Sequence, residues 1–273
     1  MRNYKLIAFD MDGTLLNSRK VLPEANIEAI ERAFSADKIV ILSTGRCLPQ
    51  LEDFVCKIPK LRYLNCVSGA CVYDLQEEKT IFSKCIDVDT VLKILDLVED
   101  RDVMIEFLTE RNLVPKDKFE IMEEYGMGVY KEFYRRVAEK IDDLAGWYRK
   151  NPFPLGKFNI YHRNPEEREI TYDLIKSANI EVSSAYAEIT SIEMSANGVD
   201  KGVGLEKLCE HLGIDIKDTI AVGDADNDIG IFKKAGLKIA MDNANSNIKG
   251  LSDVIVPDCD NGGCVVAIEK YLL

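Results

Sequence analysis

The chain lacks any uninterrupted apolar stretch near the roughly 18 residues that a membrane-spanning helix needs. Its opening, MRNYKLIAFD, passes from polar or mixed residues directly into a strand-like run, with no apolar core of signal-peptide length. The expectation is a soluble, cytoplasmic protein. Histidine is scarce: His162 and His211 stand alone, with no partner spacing, so neither is assigned a role. The eight cysteines never form CxxC and never approach paired histidines. Cys66/Cys71 and Cys259/Cys264 are each separated by four residues, which suits neither a zinc knuckle nor a redox pair. They read as reduced, mostly packing thiols. Positive charge is also short, with 35 basic residues against 47 acidic ones and a formal net charge of −12. Such a surface repels polyanions, so neither nucleic acid nor an anionic membrane is an expected partner. A small molecule is the expected partner, and the chain is expected as a monomer or a small homo-oligomer.

What is present is a globular composition, 47% hydrophobic and 30% charged, over 273 residues, a length that suggests about two domains. Five short apolar runs each stop at a polar, often acidic, cluster: KLIAFD (5–10), KIVILSTGR (38–46), TIAVGDADND (219–228), LKIAMDNA (237–244) and DVIVPD (253–258). Continuous apolar strands of this kind belong to a parallel sheet buried on both faces. Between them lie helical patterns. LPEANIEAIERAF puts Ile27, Ile30 and Phe34 on one stripe after Pro23, and KGVGLEKLCEHL aligns Leu205, Leu208, Cys209 and Leu212 before Gly213. The reading is an α/β fold with a Rossmann-like, doubly wound parallel-sheet core, in which ligands bind at the carboxyl ends of the strands.

The middle of the chain follows another rhythm: helix around Val91–Val98, strand VMIEFLT, a charged helical stretch over 117–145 broken near MEEYGMGVYKEF, strand KFNIYH, helix 166–177 and strand IEVSSAY. This predicts an inserted α+β domain on an antiparallel sheet over 83–186, leaving 1–82 and 187–273 as the core. Glu188 and Glu193, at the return, read as ordinary strand residues. Trp147 and the tyrosines of this region read as packing.

The acidic strand ends carry the chemistry. In FDMDGTLLNS, the Asp10 carboxylate at a strand tip can attack phosphorus and form an acyl-phosphate. Asp12 can protonate the leaving oxygen and then deprotonate water, while Gly13 permits the tight turn and Thr14 can hold it. GDADND offers Asp224, Asp226 and Asp228 to share a hard cation with Asp10. The few-carboxylate arrangement favours Mg²⁺ over Ca²⁺. An EF-hand is excluded, because the glycine falls at loop position seven and position twelve is Ala235. STGR supplies Thr44 beside Gly45 for phosphoryl oxygens, and Lys201 supplies a fixed positive charge at a helix start.

Taken in order, FDMDGTLL, ILSTGR, Lys201 and GDADNDIGIF resemble the four motifs of the haloacid dehalogenase superfamily of phosphatases, and in particular its Cof-type branch with a large cap, subfamily IIB. The likeness runs over essentially the whole chain, with the cap in the gap between Thr44 and Lys201. It implies Asp10 as nucleophile and Asp12 as general acid/base. It implies Mg²⁺ on Asp10, the Asp12 backbone carbonyl and Asp224, with Asp228 acting directly or through water. Thr44, Gly45 and Lys201 would hold the phosphoryl group. Asp12 stands where related ATPases carry threonine, which favours a hydrolase over a pump.

The chain departs from the branch at Ser68-Gly69-Ala70, Asp242-Asn243-Ala244 and Gly263-Cys264, positions bearing on substrate contacts; Asp242 is expected to point away from the anionic site or to touch a cap loop. Arg46 has two readings, a contact to the substrate phosphate or a salt bridge pinning the following helix. Asn227 reads as a partner of the phosphoryl group or of Lys201, with a structural cap as the rival, and Asp226 as a helix N-terminal residue. The expected activity is Mg²⁺-dependent hydrolysis of small phosphomonoesters such as sugar phosphates, with the cap closing over the substrate. The alternatives are a phosphomutase of the same superfamily and a non-catalytic, phospho-regulated binding protein.

Overall fold

A computed structural model describes residues 3–186 and 189–273. Five strands precede the insertion: β1 (Leu6–Phe9), β2 (Ile39–Ser43), β3 (Tyr63–Cys66), β4 (Cys71–Asp74) and β5 (Lys79–Ser83). Six follow within it: β6 (Met104–Leu108), β7 (Asn112–Pro115), β8 (Glu139–Ile141), β9 (Lys157–Tyr161), β10 (Val182–Ala185) and β11 (Ser191–Ala196). Three more close the chain: β12 (Thr219–Gly223), β13 (Leu237–Met241) and β14 (Val254–Val256).

The chain forms two compact units. The first comprises the chain up to Gly45, Leu51–Ser83 and Val199–Leu273; the second comprises Arg46–Gln50 and Lys84–Gly198. The return to the first unit therefore falls at Val199, not at 187 as the sequence pattern predicts. The reason is β11, which pairs antiparallel with both β9 and β10 and so continues the second unit's sheet. Glu193 lies on that strand, whereas Glu188 lies outside the described residues.

In the first unit the sheet order is β14-β13-β12-β1-β2-β3-β4-β5. The six strands from β14 to β3 are mutually parallel, and β4 and β5 extend the sheet antiparallel. The expected parallel core is thus present with an antiparallel edge, a common arrangement in doubly wound sheets. Strands β1 and β12 are buried along their whole length, which fits their unbroken apolar sequence. Helix Glu24–Ser35 starts after Pro23 but buries Asn26, Ala29, Ile30 and Ala33, so its inward face is rotated slightly from the predicted stripe. Helix Lys201–Leu212 ends at Gly213, whose φ of 66° is the left-handed conformation expected of that cap.

The second unit's sheet runs β10-β11-β9-β6-β7-β8. It is antiparallel except for the parallel pair β7/β8, so the expected purely antiparallel sheet is corrected at that edge. The stretch 117–145 is not one helix. Gly126 takes φ 76° and breaks it, and β8 occupies residues 139–141 because Lys140 and Ile141 pair with Val114 and Pro115. One sheet face carries Phe107 and Phe158, whose rings meet edge-on at 4.9 Å, with Tyr148 packed on Phe107 at 5.1 Å. The other face carries Glu106, Asn159 and Glu193 in one row, set by their register, and Lys157 on the next. Trp147 packs edge-on to Phe153, in line with its packing role. His162 is buried with both ring nitrogens bonded, to the Thr190 carbonyl and the Thr171 hydroxyl. Among the described residues, no helix is long and apolar enough to cross a membrane.

The β3–β4 hairpin packs its tip on the start of helix Lys201–Leu212. Gly69 has φ 92°, and a Cβ there would lie 1.9 Å from the Asp200 carbonyl oxygen. Gly69→Ala should therefore destabilise the protein by more than about 1 kcal/mol, read as a lower midpoint of urea unfolding at unchanged m-value; an unshifted midpoint would contradict this packing.

Candidate active site

The register of three parallel strands gathers the site. Phe9 lies level with Val222 on β12 and with Leu42 on β2. Asp10 follows Phe9 directly, and Asp224 and Thr44 come two residues beyond those partners, so all three emerge at one carboxyl edge. The Asp10 N–H donates to the Val222 carbonyl at 3.0 Å, and the chain then coils back through Leu15 N–H to the Asp10 carbonyl (3.2 Å) and Leu16 N–H to Met11 (2.8 Å). Gly13, at φ 87°, is required twice over: a Cβ there would sit 2.4 Å from Asp224 Oδ2. The Thr14 hydroxyl, expected to hold the turn, donates instead across to Asp224 Oδ1 at 2.7 Å.

Lys201 enters from the first turn of its helix, where the Asp200 side chain caps the Val203 N–H at 2.9 Å. Its side chain is fully buried, and Nζ donates to Asp10 Oδ1 at 2.6 Å and to Asp228 Oδ1 at 2.7 Å. The other Asp228 oxygen accepts from the backbone N–H groups of Asp224 (3.0 Å) and Ala225 (3.3 Å). Asp228 is thus a buried clamp between the Lys201 ammonium and the β12 loop. Asn65 fixes the lysine from behind, its amide donating to the Lys201 carbonyl at 2.8 Å and to the Ser43 hydroxyl at 2.9 Å.

Asp10, Asp224 and Asp228 can each offer one oxygen within 4.8 Å of the others. Three carboxylates against one ammonium leave an excess of negative charge in a desolvated place. Burial, partly opposed by Lys201 and reinforced by Asp228 and Asp224, pushes the Asp10 carboxyl well above its usual range. Burial and then the Asp228 charge push Asp224 up to about 7. Burial pulls Lys201 down, yet the Asp10 and Asp228 charges more than offset it and hold the ammonium above its ordinary value. An all-oxygen donor set with unbalanced negative charge is what a hard divalent cation requires, so the residues present fit such an ion.

The sequence pattern of the haloacid dehalogenase-like hydrolases matches residues 7–268. The chain belongs to that family. Over 275 residues this haloacid dehalogenase-like hydrolase is 27% identical to the 5-amino-6-(5-phospho-D-ribitylamino)uracil phosphatase YcsE of Bacillus subtilis, covering 98% of this chain and 96% of the other. A solved haloacid dehalogenase-like hydrolase from B. subtilis superposes with a TM-score of 0.87 at 23% identity, covering 98% of this chain and all of that one. A sugar phosphatase of subclass IIB superposes with a TM-score of 0.80 at 21% identity, with 98% of each chain covered. These structural likenesses show that the chain shares the fold of those hydrolases.

The remaining residues marked in the sequence of this hydrolase fall as follows. The Asp12 carboxylate is outside the three-carboxylate cluster and meets Lys20 Nζ at 3.2 Å. Thr44 is buried, its N–H donating to the Asn65 carbonyl and its carbonyl accepting from the Ser68 N–H. Gly45 ends the first unit's segment, and Arg46 groups with the second, its guanidinium 4.9 Å over the Phe133 ring. Asn227 keeps a buried Oδ1 with no hydrogen-bond partner among the described residues. Asp226 accepts from the Asn245 and Asn247 amides at the start of a short 3₁₀ turn, apart from the cluster. Asp242 is turned to Lys249 at 3.2 Å, and the buried Cys264 thiol donates to the Thr14 carbonyl at 3.3 Å.

Sequence reasoning missed Asn65 and Lys20, and it named no partner for Thr14, whose hydroxyl reaches Asp224. In the second unit it also missed the buried polar face. There Glu106 accepts from Tyr161 (2.6 Å) and Asn159 (2.8 Å), Lys157 pairs with Glu193 (2.6 Å), and Asn159 Oδ1 and both amide atoms of Asn112 are buried with no hydrogen-bond partner among the described residues. The alternation of polar residues in VMIEFLT and KFNIYH was the available signal.

Asp224 yields a pH prediction. Its folded pKa of about 7 lies above the unfolded value of about 3.9, so between those limits the folded chain binds more protons than the unfolded one. Stability without divalent cations should fall as pH rises from 4 to 7 through this group. Asp224→Asn should flatten that part of the profile, measured as urea midpoint against pH in chelator; equal slopes in wild type and variant would contradict it.

Proposed function

We propose that this hydrolase cleaves small phosphomonoesters, sugar phosphates or similar metabolites, with Mg²⁺ and through an aspartyl-phosphate on Asp10. The observation that carries the reading is the buried Lys201 ammonium holding the Asp10 carboxylate at a strand tip, 2.6 Å away, beside two further carboxylates. An oriented carboxylate is a nucleophile whose ordering cost has been met in folding.

In the first displacement an Asp10 oxygen forms the new bond to phosphorus as the ester P–O bond breaks. The bonding pair leaves with the substrate oxygen, which takes a proton from the Asp12 carboxyl. In the second, Asp12 takes a proton from water, the water oxygen bonds to phosphorus, and the Asp10–phosphorus bond breaks to release phosphate and restore Asp10. Thr44, Gly45, Arg46 and Asn227 would bind the phosphoryl group or the substrate that carries it. Mg²⁺ held by Asp10, the Asp12 carbonyl, Asp224 and Asp228 would neutralise negative charge on the phosphoryl oxygens. Lys201 favours the ionised form of Asp10 against its burial and keeps it aimed.

The relatives support a small phosphate ester. One is named for 5-amino-6-(5-phospho-D-ribitylamino)uracil, and a second, from Escherichia coli and 23% identical, is a pyridoxal phosphate phosphatase. Selectivity is assigned to the second unit, whose sheet buries Glu106, Lys157 and Asn159 where an antiparallel sheet would ordinarily show its polar face to water.

The test is phosphate release from p-nitrophenyl phosphate and a panel of metabolite monoesters, with Mg²⁺ and with chelator. Chelation should stop turnover, and Asp10→Asn should lower it on the order of 10³-fold or more while the protein stays folded by circular dichroism. Full activity in Asp10→Asn, or in chelator, would overturn the proposal.

A further inference from the structure

Lys20 belongs to no motif that the sequence singled out, yet it is the cation that meets the Asp12 carboxylate, at 3.2 Å from Oδ1. The backbone delivers it there at a cost. Lys20 sits at φ 60°, in the left-handed region that residues with a Cβ seldom enter. The turn over residues 17–21 imposes that conformation.

That turn is closely tied. Asn17 Oδ1 accepts from the N–H groups of Arg19 (3.1 Å) and Val21 (2.9 Å), the Asn17 N–H donates to the Val21 carbonyl (3.0 Å), and the Lys20 N–H donates to the Asn17 carbonyl (2.9 Å). The next residue along, Ser18, is pinned through both N–H and hydroxyl to Asp260 Oδ1, at 3.0 and 3.1 Å. On its other side the loop is joined to the nucleophile turn, where Asp12 bridges to Leu16. The two ends of the ion pair are thus carried by adjoining rigid turns of one segment. Both side chains are about a quarter to a third exposed, so the pair contributes little to stability. The turn's hydrogen bonds account for the backbone, and the weak ion pair adds little to the fold, which leaves the placing of the Lys20 ammonium on the Asp12 carboxylate to be explained.

We propose that Lys20 is a positioning residue for the acid–base step: it fixes one Asp12 oxygen so that the other is presented for proton transfer. The inference rests on the acid–base role of Asp12 proposed above. Its effect belongs to the steps in which Asp12 moves a proton, and not to substrate binding or to the Asp10 attack itself.

The test uses Lys20→Gly, because glycine accepts φ 60° without strain. A purely structural lysine would lose nothing by this change, and the urea midpoint should be unchanged or higher. With Mg²⁺ present, kcat/KM for an alkyl phosphate such as glycerol 2-phosphate, whose leaving oxygen needs a proton, should fall about tenfold, a fraction of the 10²–10⁴ that acid–base catalysis supplies. For p-nitrophenyl phosphate, whose leaving oxygen needs none, kcat/KM should stay within about twofold. Lys20→Arg should restore much of the alkyl rate. Wild-type alkyl kcat/KM in Lys20→Gly, or an equal loss on both esters, would overturn the inference and leave the proposed function intact. Absence of Asp10-dependent turnover in the wild type would overturn both.

Discussion

An ammonium with no exposed surface, caught between two carboxylates, is an expensive thing to bury. Lys201 is tolerated because Asp10 and Asp228 each accept from it, because the Asp228 carboxylate also accepts from backbone N–H groups at the end of β12, and because the Asp10 main chain is fixed to Val222. Removing one member of such a cluster typically costs about 3–5 kcal/mol, since it strands the others in a desolvated place. The first unit is therefore committed to a particular alignment of β1, β12 and the helix that begins at Lys201. The same commitment sets up the chemistry: a carboxylate that cannot rotate away, flanked by negative charge that the protein alone does not neutralise.

The supporting contacts come from far along the chain. Asn65 reaches the Lys201 carbonyl, Thr14 reaches Asp224, Asn243 donates to the Gly13 carbonyl at 2.7 Å, and Cys264 donates to that of Thr14. Each joins segments that only the parallel sheet brings together. The 190 residues between Asp10 and Lys201 can accommodate a second folded unit because the strand register, and not the connecting chain, brings the charged groups together. That unit has its own aromatic core and its own buried polar face.

Much of this was legible in the sequence for physical reasons. Apolar runs ending in acids mark strands buried on both faces with polar ends; Asp10, Thr44 and Asp224 stand at such ends, Asp228 closes the turn after β12, and Lys201 opens a helix. The pattern was weaker where partners decide the outcome. β4 and β5 carry mixed sequences and exist because β3 offers an edge. The charged stretch 117–145 favours helix locally, but pairing with β7 draws residues 139–141 into a strand. The return from the second unit was placed too early because β11 is a strand of either unit by pattern, and only its pairing with β9 assigns it. Asn65 and Lys20 were invisible for a different reason. The first acts through a backbone carbonyl 136 positions away, and the second through a backbone conformation that side-chain identity does not reveal.

The account stands on Asp10 being the atom donor to phosphorus and on Lys201 holding it ready. The most direct measurement is rapid acid quenching of the enzyme during turnover of a phosphomonoester, followed by peptide mass spectrometry with and without hydroxylamine. A phosphate on the peptide containing Asp10, lost to hydroxylamine as acyl-phosphates are, is the predicted result. Turnover with no phosphate captured on Asp10, or with phosphate on another residue, would contradict it.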